Sequence, residues 1–144
     1  MKDQEFSQFF REIQVRFSGI YSNILTRSDL TLPQYVLLSQ LVYTGTIPMT
    51  VASKKLNLTK PAITNLVDRL EEKKLIKRLA YPKDRRVYLL EAQVKGAVLV
   101  RKIQTEVLKI LLRTLNKFNA KEQKVITKFY QLLSQNINQY LSEK

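Results

Sequence analysis

Apolar residues recur every three or four positions over most of this chain, and this spacing predicts a protein built mainly from amphipathic helices. The N-terminal segment shows the period most clearly, from Phe6 to Ile24, with polar residues on most of the opposite face. The same period returns over residues 96–118 and again in a last helix. Asn119 and Glu122 have the spacing of a capping box, which predicts where this last helix begins.

Shorter helices are predicted between these two ends. Thr31 is the expected N-cap of a second helix that has Pro33 in its first turn and runs to about Tyr43. Gly45 is expected in the left-handed conformation that often follows a helix. A short third helix is predicted over residues 49–56.

A tight turn and a fourth helix follow. Asn57 suits the turn because asparagine tolerates left-handed backbone geometry. Thr59 is the expected N-cap of the fourth helix, and Pro61 lies near its start. The predicted buried stripe of this helix consists of Ile63, Leu66, Val67 and Leu70.

The segment after the fourth helix predicts a β-hairpin, because its length suits two short strands better than another helix. Residues 75–81 and 87–92 are expected to pair as antiparallel strands, with residues 82–86 as the loop. The predicted fold class is therefore mainly α. It is a winged helix-turn-helix with a small β-hairpin wing, plus N- and C-terminal helices that form a dimerisation domain.

This interpretation divides the chain into three segments. Residues 1–30 are the N-terminal dimerisation helix, residues 31–93 the winged helix-turn-helix DNA-binding domain, and residues 94–144 the C-terminal dimerisation helices. The terminal helices carry more apolar surface than a small winged core can cover, which favours a homodimer. The alternative is a helical cap folded on its own subunit.

The positive charge is concentrated on the predicted helix-turn-helix and wing. Residues 54–86 hold 11 basic and 4 acidic residues, a net +7 out of the +13 of the whole chain, whereas residues 1–53 are neutral overall. A localised basic face indicates a polyanionic partner, most often nucleic acid. The alternative is a solvated lysine-rich surface.

Composition argues against most other functions. The chain has no Cys and no His, which excludes disulfides, thiolate metal sites and imidazole catalysis, and its 12 acidic residues are scattered. We therefore expect no enzyme activity, no catalytic residue, no metal site and no cofactor. Without a secretory signal or an apolar run of membrane length, the expected location is the cytoplasm, with no membrane partner.

The outer face of the fourth helix carries the candidate DNA-reading groups. Thr59 and Lys60 at the helix start suit a phosphate, because free backbone N–H groups and the helix dipole attract anions there. Thr64 and Asn65 lie one turn further, where a recognition helix approaches base edges, and asparagine can pair with adenine. The candidate recognition residues are Thr59, Lys60, Pro61, Thr64, Asn65 and Arg69.

The tip of the hairpin carries a second candidate group. An arginine here suits the negative potential of a narrow minor groove, and Asp84 is expected to orient Arg86 through a carboxylate–guanidinium pair. The alternative is an exposed ion pair that contributes little. The candidate wing residues are Lys83, Asp84, Arg85 and Arg86, and the flanking candidates for phosphate contacts are Lys54, Lys55, Lys77 and Arg78.

These motifs resemble the MarR family of winged helix-turn-helix transcriptional regulators, in order and over nearly the whole chain. The matching stretches are Leu32-Pro33-Gln34-Tyr35, Leu56-Asn57-Leu58-Thr59-Lys60, Val67-Asp68-Arg69-Leu70-Glu71 and Asp84-Arg85-Arg86, followed by Gly96. The resemblance implies a dimer with intertwined terminal helices that binds a palindromic operator, usually as a repressor. It also implies that Lys60, Pro61, Thr64 and Asn65 face the major groove and that Asp84 and Arg86 form the wing pair.

Four positions depart from the family pattern. Lys74 replaces the usual glycine after the recognition helix, so that a residue with a Cβ is expected in left-handed geometry, and Asn57 replaces a glycine in the turn. Asn65 replaces a common arginine, which shifts the expected base preference toward adenine. Ala92-Gln93 replaces the usual Leu-Thr, which weakens the expected cap of the following helix.

The leading hypothesis is a sequence-specific repressor that binds double-stranded DNA as a homodimer. By the same resemblance, a small aromatic or phenolic effector would release it. The candidate ligand pocket consists of Arg16, Tyr21, Tyr35 and Tyr43, which core packing explains equally well. The competing hypotheses are an architectural DNA-binding protein with little sequence preference, and a module that binds only protein partners.

Overall fold

The computed structural model describes residues 3–143, and this part of the chain is mainly helical, as predicted. Its elements are α1 Asp3–Arg27, α2 Leu32–Thr44, β1 Ile47–Pro48, α3 Met49–Lys55, α4 Lys60–Glu72, β2 Ile76–Ala80, β3 Tyr88–Ala92, α5 Val94–Leu115 and α6 Ala120–Ser142. The described part of the chain forms two compact units, which meet between residues 105 and 106. This boundary differs from the three predicted segments, whose separate roles stay predictions. None of the helices within residues 3–143 is long and apolar enough to cross a membrane.

The start and end of α2 follow local chemistry. Thr31 is its N-cap, as predicted, and Gln34 completes a capping box: the Thr31 N–H donates to Gln34 Oε1 at 3.1 Å, and the Gln34 N–H donates to Thr31 Oγ1 at 3.3 Å. The prediction for Gly45 is wrong in part. Its φ is 88° as a left-handed cap requires, but its ψ of −167° is extended, because the chain leaves α2 directly into β1.

A three-stranded antiparallel sheet has the order β1-β3-β2. The predicted hairpin is confirmed, with Ile76 opposite Ala92 and Ala80 opposite Tyr88. Strand β1 was not predicted, and it adds only Ile47 and Pro48 to the outer edge of β3. An edge position tolerates proline, because the missing N–H would not be needed on the open side.

The core of the first unit lies between α2, α4 and the sheet. Ile63, Val67 and Leu70 of α4 are almost completely buried, as predicted, whereas Leu66 is only half-buried. These residues pack in the same core as fully buried side chains of α2 and β3, namely Leu37, Leu38 and Leu90. Burial of this one stripe fixes which face of α4 is presented to solvent.

Gly96 is buried where α5 passes the start of the sheet. A Cβ at this position would lie 2.3 Å from the Leu75 carbonyl oxygen and 2.8 Å from Leu38 Cδ1. The same carbonyl accepts a 2.8 Å hydrogen bond from the Gln93 N–H. Only glycine allows this close approach without a backbone shift.

The second unit contains the end of α5 and the whole of α6. Asn119 caps α6 as predicted: Asn119 Oδ1 accepts from the Glu122 N–H at 3.1 Å, and the Asn119 N–H donates to Glu122 Oε2 at 2.8 Å. Gln123 Nε2 closes the turn by donating to the carbonyls of Leu115 and Phe118. Many apolar side chains of this unit are exposed, including Leu112, Val125, Phe129, Ile137 and Leu141.

Candidate nucleic-acid interface

The turn before α4 is built by a left-handed asparagine. Asn57 has a φ of 51°, as predicted, which reverses the chain after α3. The Leu58 N–H donates to the Ser53 carbonyl at 3.0 Å, and Ser53 Oγ donates back to the Leu58 carbonyl at 2.7 Å. These bonds hold α4 at a defined angle to α3, which is the local requirement of a helix-turn-helix.

The start of α4 presents polar groups to solvent. Thr59 is the N-cap, as predicted, and its hydroxyl accepts from the Ala62 N–H at 3.3 Å. Lys60 and Asn65 are exposed, whereas Thr64 is half-buried and its hydroxyl donates to the Lys60 carbonyl at 2.8 Å. The Asn65 side chain is therefore the more accessible of the two central candidates for reading a base.

The wing tip has the predicted internal pair. Asp84 Oδ1 accepts from the Arg86 N–H at 3.0 Å and from Arg86 Nε at 3.4 Å. The Arg86 side chain is 92% exposed, so the carboxylate directs the guanidinium without covering it. Lys83 and Arg85 are also exposed beside it. The tip thus carries three exposed cations, one of which has a fixed direction.

Arg78 is paired with carboxylates of α4, although its side chain also lines the groove between α4 and the wing. Its predicted phosphate contact stays a prediction. Its guanidinium pairs with Asp68 and with Glu71, the latter at 2.7 Å, and its side chain is only 18% exposed. Its backbone N–H also donates to Glu71 Oε2 at 2.9 Å. Burial lowers the pKa of Arg78, but the hydrogen bonds and charges of Asp68 and Glu71 outweigh it, so the pKa is raised. The guanidinium therefore stays protonated, and the carboxylates of Asp68 and Glu71 in α4 balance its positive charge.

The other flanking lysines differ in their surroundings. Lys77 pairs across the hairpin with Glu91 at 3.1 Å, and so part of its charge is used within the wing. Lys54 and Lys55 are exposed at the end of α3. They remain suitable for phosphate contacts, which position a protein on DNA without reading sequence.

Two grooves border α4. The first, which we call the helix–wing groove, has a volume of about 540 Å³. It lies between α3, α4 and the wing, and Lys54, Lys60, Thr64, Arg86 and Tyr88 are among the residues that line it. Side chains predicted separately from the helix and from the wing therefore share one surface.

The second groove, of about 900 Å³, lies on the other side of α4. It runs between α4 and the segment that joins α1 to α2, and its lining includes Gln34, Asn65, Arg69 and Lys73. Lys73 forms an ion pair there with Asp29, in which Nζ lies 3.3 Å from Oδ2. Asn65 and Arg69 thus line a different groove from Lys60 and Thr64, a division that the sequence did not indicate.

The predicted ligand-pocket residues are only partly brought together. The rings of Tyr21 and Tyr35 lie 6.1 Å apart, and burial, followed by the charge of Tyr35, raises the pKa of Tyr21. Tyr43 lies about 12 Å further along α2, as two helical turns require, and its hydroxyl donates to Gln104. Arg16 is exposed on α1. The structure thus brings two of the four residues together, and the ligand pocket stays a prediction.

Metal ligands are not grouped in the described part of the chain. Within residues 3–143, no three acidic side chains are placed so that they could hold one ion. The chemistry of the cationic surface around α4 suits an anionic polymer.

Comparison with known proteins agrees with this geometry. Residues 30–88 match the sequence model of the MarR family. The uncharacterized HTH-type transcriptional regulator YhbI of Bacillus subtilis (strain 168) is 27% identical over 108 residues, which cover 73% of this chain and 70% of that protein.

Solved structures match along almost the whole chain. A MarR family protein from Bacillus stearothermophilus is 26% identical with a TM-score of 0.80, covering 96% of this chain and 99% of that one. A point mutant of S. aureus MepR bound to an oligodeoxyribonucleotide is 21% identical with a TM-score of 0.69, covering 92% and 97%. NadR in complex with 4-hydroxyphenylacetate is 21% identical with a TM-score of 0.65, covering 86% and 89%. Residues 30–88 thus match the MarR family model, and the chain has the fold of a solved MarR family protein.

Proposed function

We propose that this chain is a sequence-specific transcriptional repressor that binds an inverted-repeat operator as a homodimer. The observation that carries the proposal is the shared surface of α4 and the wing, where Lys60, Thr64 and Arg86 line one groove. In this arrangement α4 enters the major groove and Arg86 reaches the adjacent minor groove. The matched family consists of transcriptional regulators rather than enzymes, which agrees with this assignment.

Each DNA-facing group has a separate task in the proposal. Asn65 donates to and accepts from one adenine edge, a contact that discriminates between bases by about 1–3 kcal/mol. Arg86, directed by Asp84, adds minor-groove affinity. Lys54, Lys55 and the Lys60 end of α4 hold phosphates. The MepR mutant solved with an oligodeoxyribonucleotide supports DNA as the partner of this fold.

The homodimer is supported by apolar side chains that each unit leaves exposed. In α1, Phe6, Phe9, Phe10 and Ile13 are all about half exposed or more. In the second unit, Val125, Phe129, Ile137 and Leu141 of α6 are likewise about half exposed or more. Contiguous apolar surface of this kind marks an interface in a protein that stays in solution, and a two-fold dimer matches an inverted repeat.

The proposal is tested by the affinity of two variants for DNA. At ~150 mM salt, where specific complexes are typically 10³–10⁷ tighter than non-specific ones, the protein should prefer its selected inverted repeat over a scrambled duplex. The Asn65→Ala variant should no longer discriminate between bases at one position of the inverted repeat, and the Arg86→Ala variant should bind the inverted repeat less tightly. Lys128→Ala is the matched control, because it removes one exposed charge from α6. Equal binding of inverted and scrambled duplexes would instead support an architectural DNA-binding protein, for which the net charge of +13 is suited.

We also propose that a small aromatic ligand weakens DNA binding. The rings of Tyr21 and Tyr35 lie close together in this chain, with Tyr35 buried and Tyr21 half-buried, and the similarly folded NadR was solved with 4-hydroxyphenylacetate. In a dimer the two recognition helices can differ in spacing, and a ligand that binds one spacing more tightly makes that spacing more common. If the favoured spacing does not fit the operator, the affinity for DNA falls. Titration of the protein–DNA complex with phenolic acids should release the DNA, and a complex that is insensitive to all of them contradicts this part alone.

A further inference from the structure

One arginine connects the recognition helix to the wing. Arg78 of β2 reaches back from the hairpin to α4, where it pairs with both Asp68 and Glu71. Glu71 holds it twice, since its second oxygen accepts from the Arg78 backbone N–H at 2.9 Å. On its other side the guanidinium carbon lies 6.0 Å from the centre of the Tyr88 ring. Arg78 thus forms ion pairs with two residues of α4 and also contacts Tyr88 of β3.

The position of these contacts relates them to the DNA-facing groups. Asp68 lies four residues after Thr64, and Glu71 lies three residues after Asp68. This spacing puts all three along one side of α4. Tyr88 begins β3, two residues after Arg86. The Arg78 contacts therefore join the side of α4 that borders the helix–wing groove to the strand that follows the wing arginine.

We propose that Arg78 is a positioning residue, which through Asp68 and Glu71 fixes the angle between α4 and the wing so that both engage one stretch of DNA. This inference rests on the proposed function and assigns Arg78 no contact with DNA. Two recognition elements held at a fixed spacing bind more tightly than the same elements held loosely, because less freedom is lost on binding. Non-specific binding depends mainly on charge and is less sensitive to this spacing.

The DNA affinity of variants that lose a negative charge near Arg78 distinguishes a positioning role from a phosphate contact. Glu71→Ala and the neighbouring Glu72→Ala each remove one negative charge from the same helix turn, and Glu72 is exposed. If Arg78 held a phosphate, both variants would bind DNA more tightly. Positioning predicts that Glu71→Ala binds the selected inverted repeat about tenfold more weakly than Glu72→Ala, as expected when a charge-assisted hydrogen bond is lost. The two variants should bind a scrambled duplex equally.

Arg78→Lys provides a second test with the charge unchanged. Lysine cannot reproduce the planar, two-partner geometry of the guanidinium, and so positioning predicts a loss similar to that of Glu71→Ala. A phosphate contact would survive this substitution largely intact. Suppose that the unaltered protein prefers the inverted repeat. The inference is then overturned if Glu71→Ala and Arg78→Lys bind the inverted repeat as tightly as Glu72→Ala does. If the unaltered protein has no such preference, the proposed function fails and this inference fails with it.

A distance measurement tests the positioning without DNA. The chain has no cysteine, so spin labels at Lys60→Cys and Arg85→Cys would report only on α4 and the wing. With labelled protein diluted in unlabelled protein, electron–electron double resonance should give one narrow distance distribution. Glu71→Ala should broaden it and Glu72→Ala should not. An equally narrow distribution in the two variants would show that Arg78 does not set the angle.

Discussion

Gly96→Ala tests how closely α5 packs against the sheet. In an exposed helix, replacing glycine with alanine stabilises a protein by about 0.5–1 kcal/mol. Here the new Cβ would lie 2.3 Å from the Leu75 carbonyl oxygen and 2.8 Å from Leu38 Cδ1. The Leu38 atom is the end of a side chain, but the carbonyl is backbone and already accepts from the Gln93 N–H.

The balance of these terms gives the expected sign. Forcing a carbon into a close-packed core costs about 1–3 kcal/mol, and displacing the Gln93 hydrogen bond adds about 1 kcal/mol. After the helix gain is subtracted, we expect Gly96→Ala to lower the free energy of unfolding by about 1–3 kcal/mol.

Gly19→Ala is the matched control for this measurement. Gly19 lies on the exposed face of α1, and a Cβ there meets nothing within 4 Å, so this variant should gain about 0.5–1 kcal/mol. Urea unfolding followed by circular dichroism gives both values. The protein concentration is kept the same throughout, because the stability of the proposed dimer would depend on it. A Gly96→Ala protein as stable as the unaltered one would refute the close approach of α5 and the sheet.

Three further substitutions test local features. Lys74 has a left-handed φ of 58°, so Lys74→Gly should raise the free energy of unfolding by about 0.5–1 kcal/mol, and an unchanged urea midpoint would contradict that strain. Thr59→Ala should cost about 1 kcal/mol by removing the cap of α4, and Thr59→Ser should restore most of it in the same assay. Because the pKa of Tyr21 is raised in the folded protein, its stabilising contribution is complete below about pH 10 and is lost as pH rises through the folded value. Tyr21→Phe should therefore flatten the decline of stability above that pH, and an unchanged slope would show that Tyr21 does not cause it.

Much of the fold was predictable because its signals are local. The period of apolar residues located the long helices, and the cap residues Thr31 and Asn119 located the starts of α2 and α6. The capping partner Gln34 was missed although its spacing from Thr31 was readable. Strand β1 was not predictable, since two residues show no period and their pairing depends on β3.

The candidate site was predictable in its parts but not in their mutual arrangement. The pairing of Asp84 with Arg86 was expected, because two residues of one tight loop are always close. The engagement of Arg78 was not, since its partners lie seven and ten residues earlier on another element. A basic residue in a sequence carries no sign of whether its charge faces DNA or a carboxylate within the fold.

Selection of bound sites from random duplex DNA tests the central claim most directly, because it assumes neither an operator nor a ligand. A dimer that presents two copies of α4 should enrich an inverted repeat whose half-sites are centred about 34–36 Å apart, one turn of DNA. We expect adenine to be enriched at one position of each half-site, where Asn65 is placed. Recovery of unenriched sequences, or of a single half-site without its inverted copy, would contradict the account.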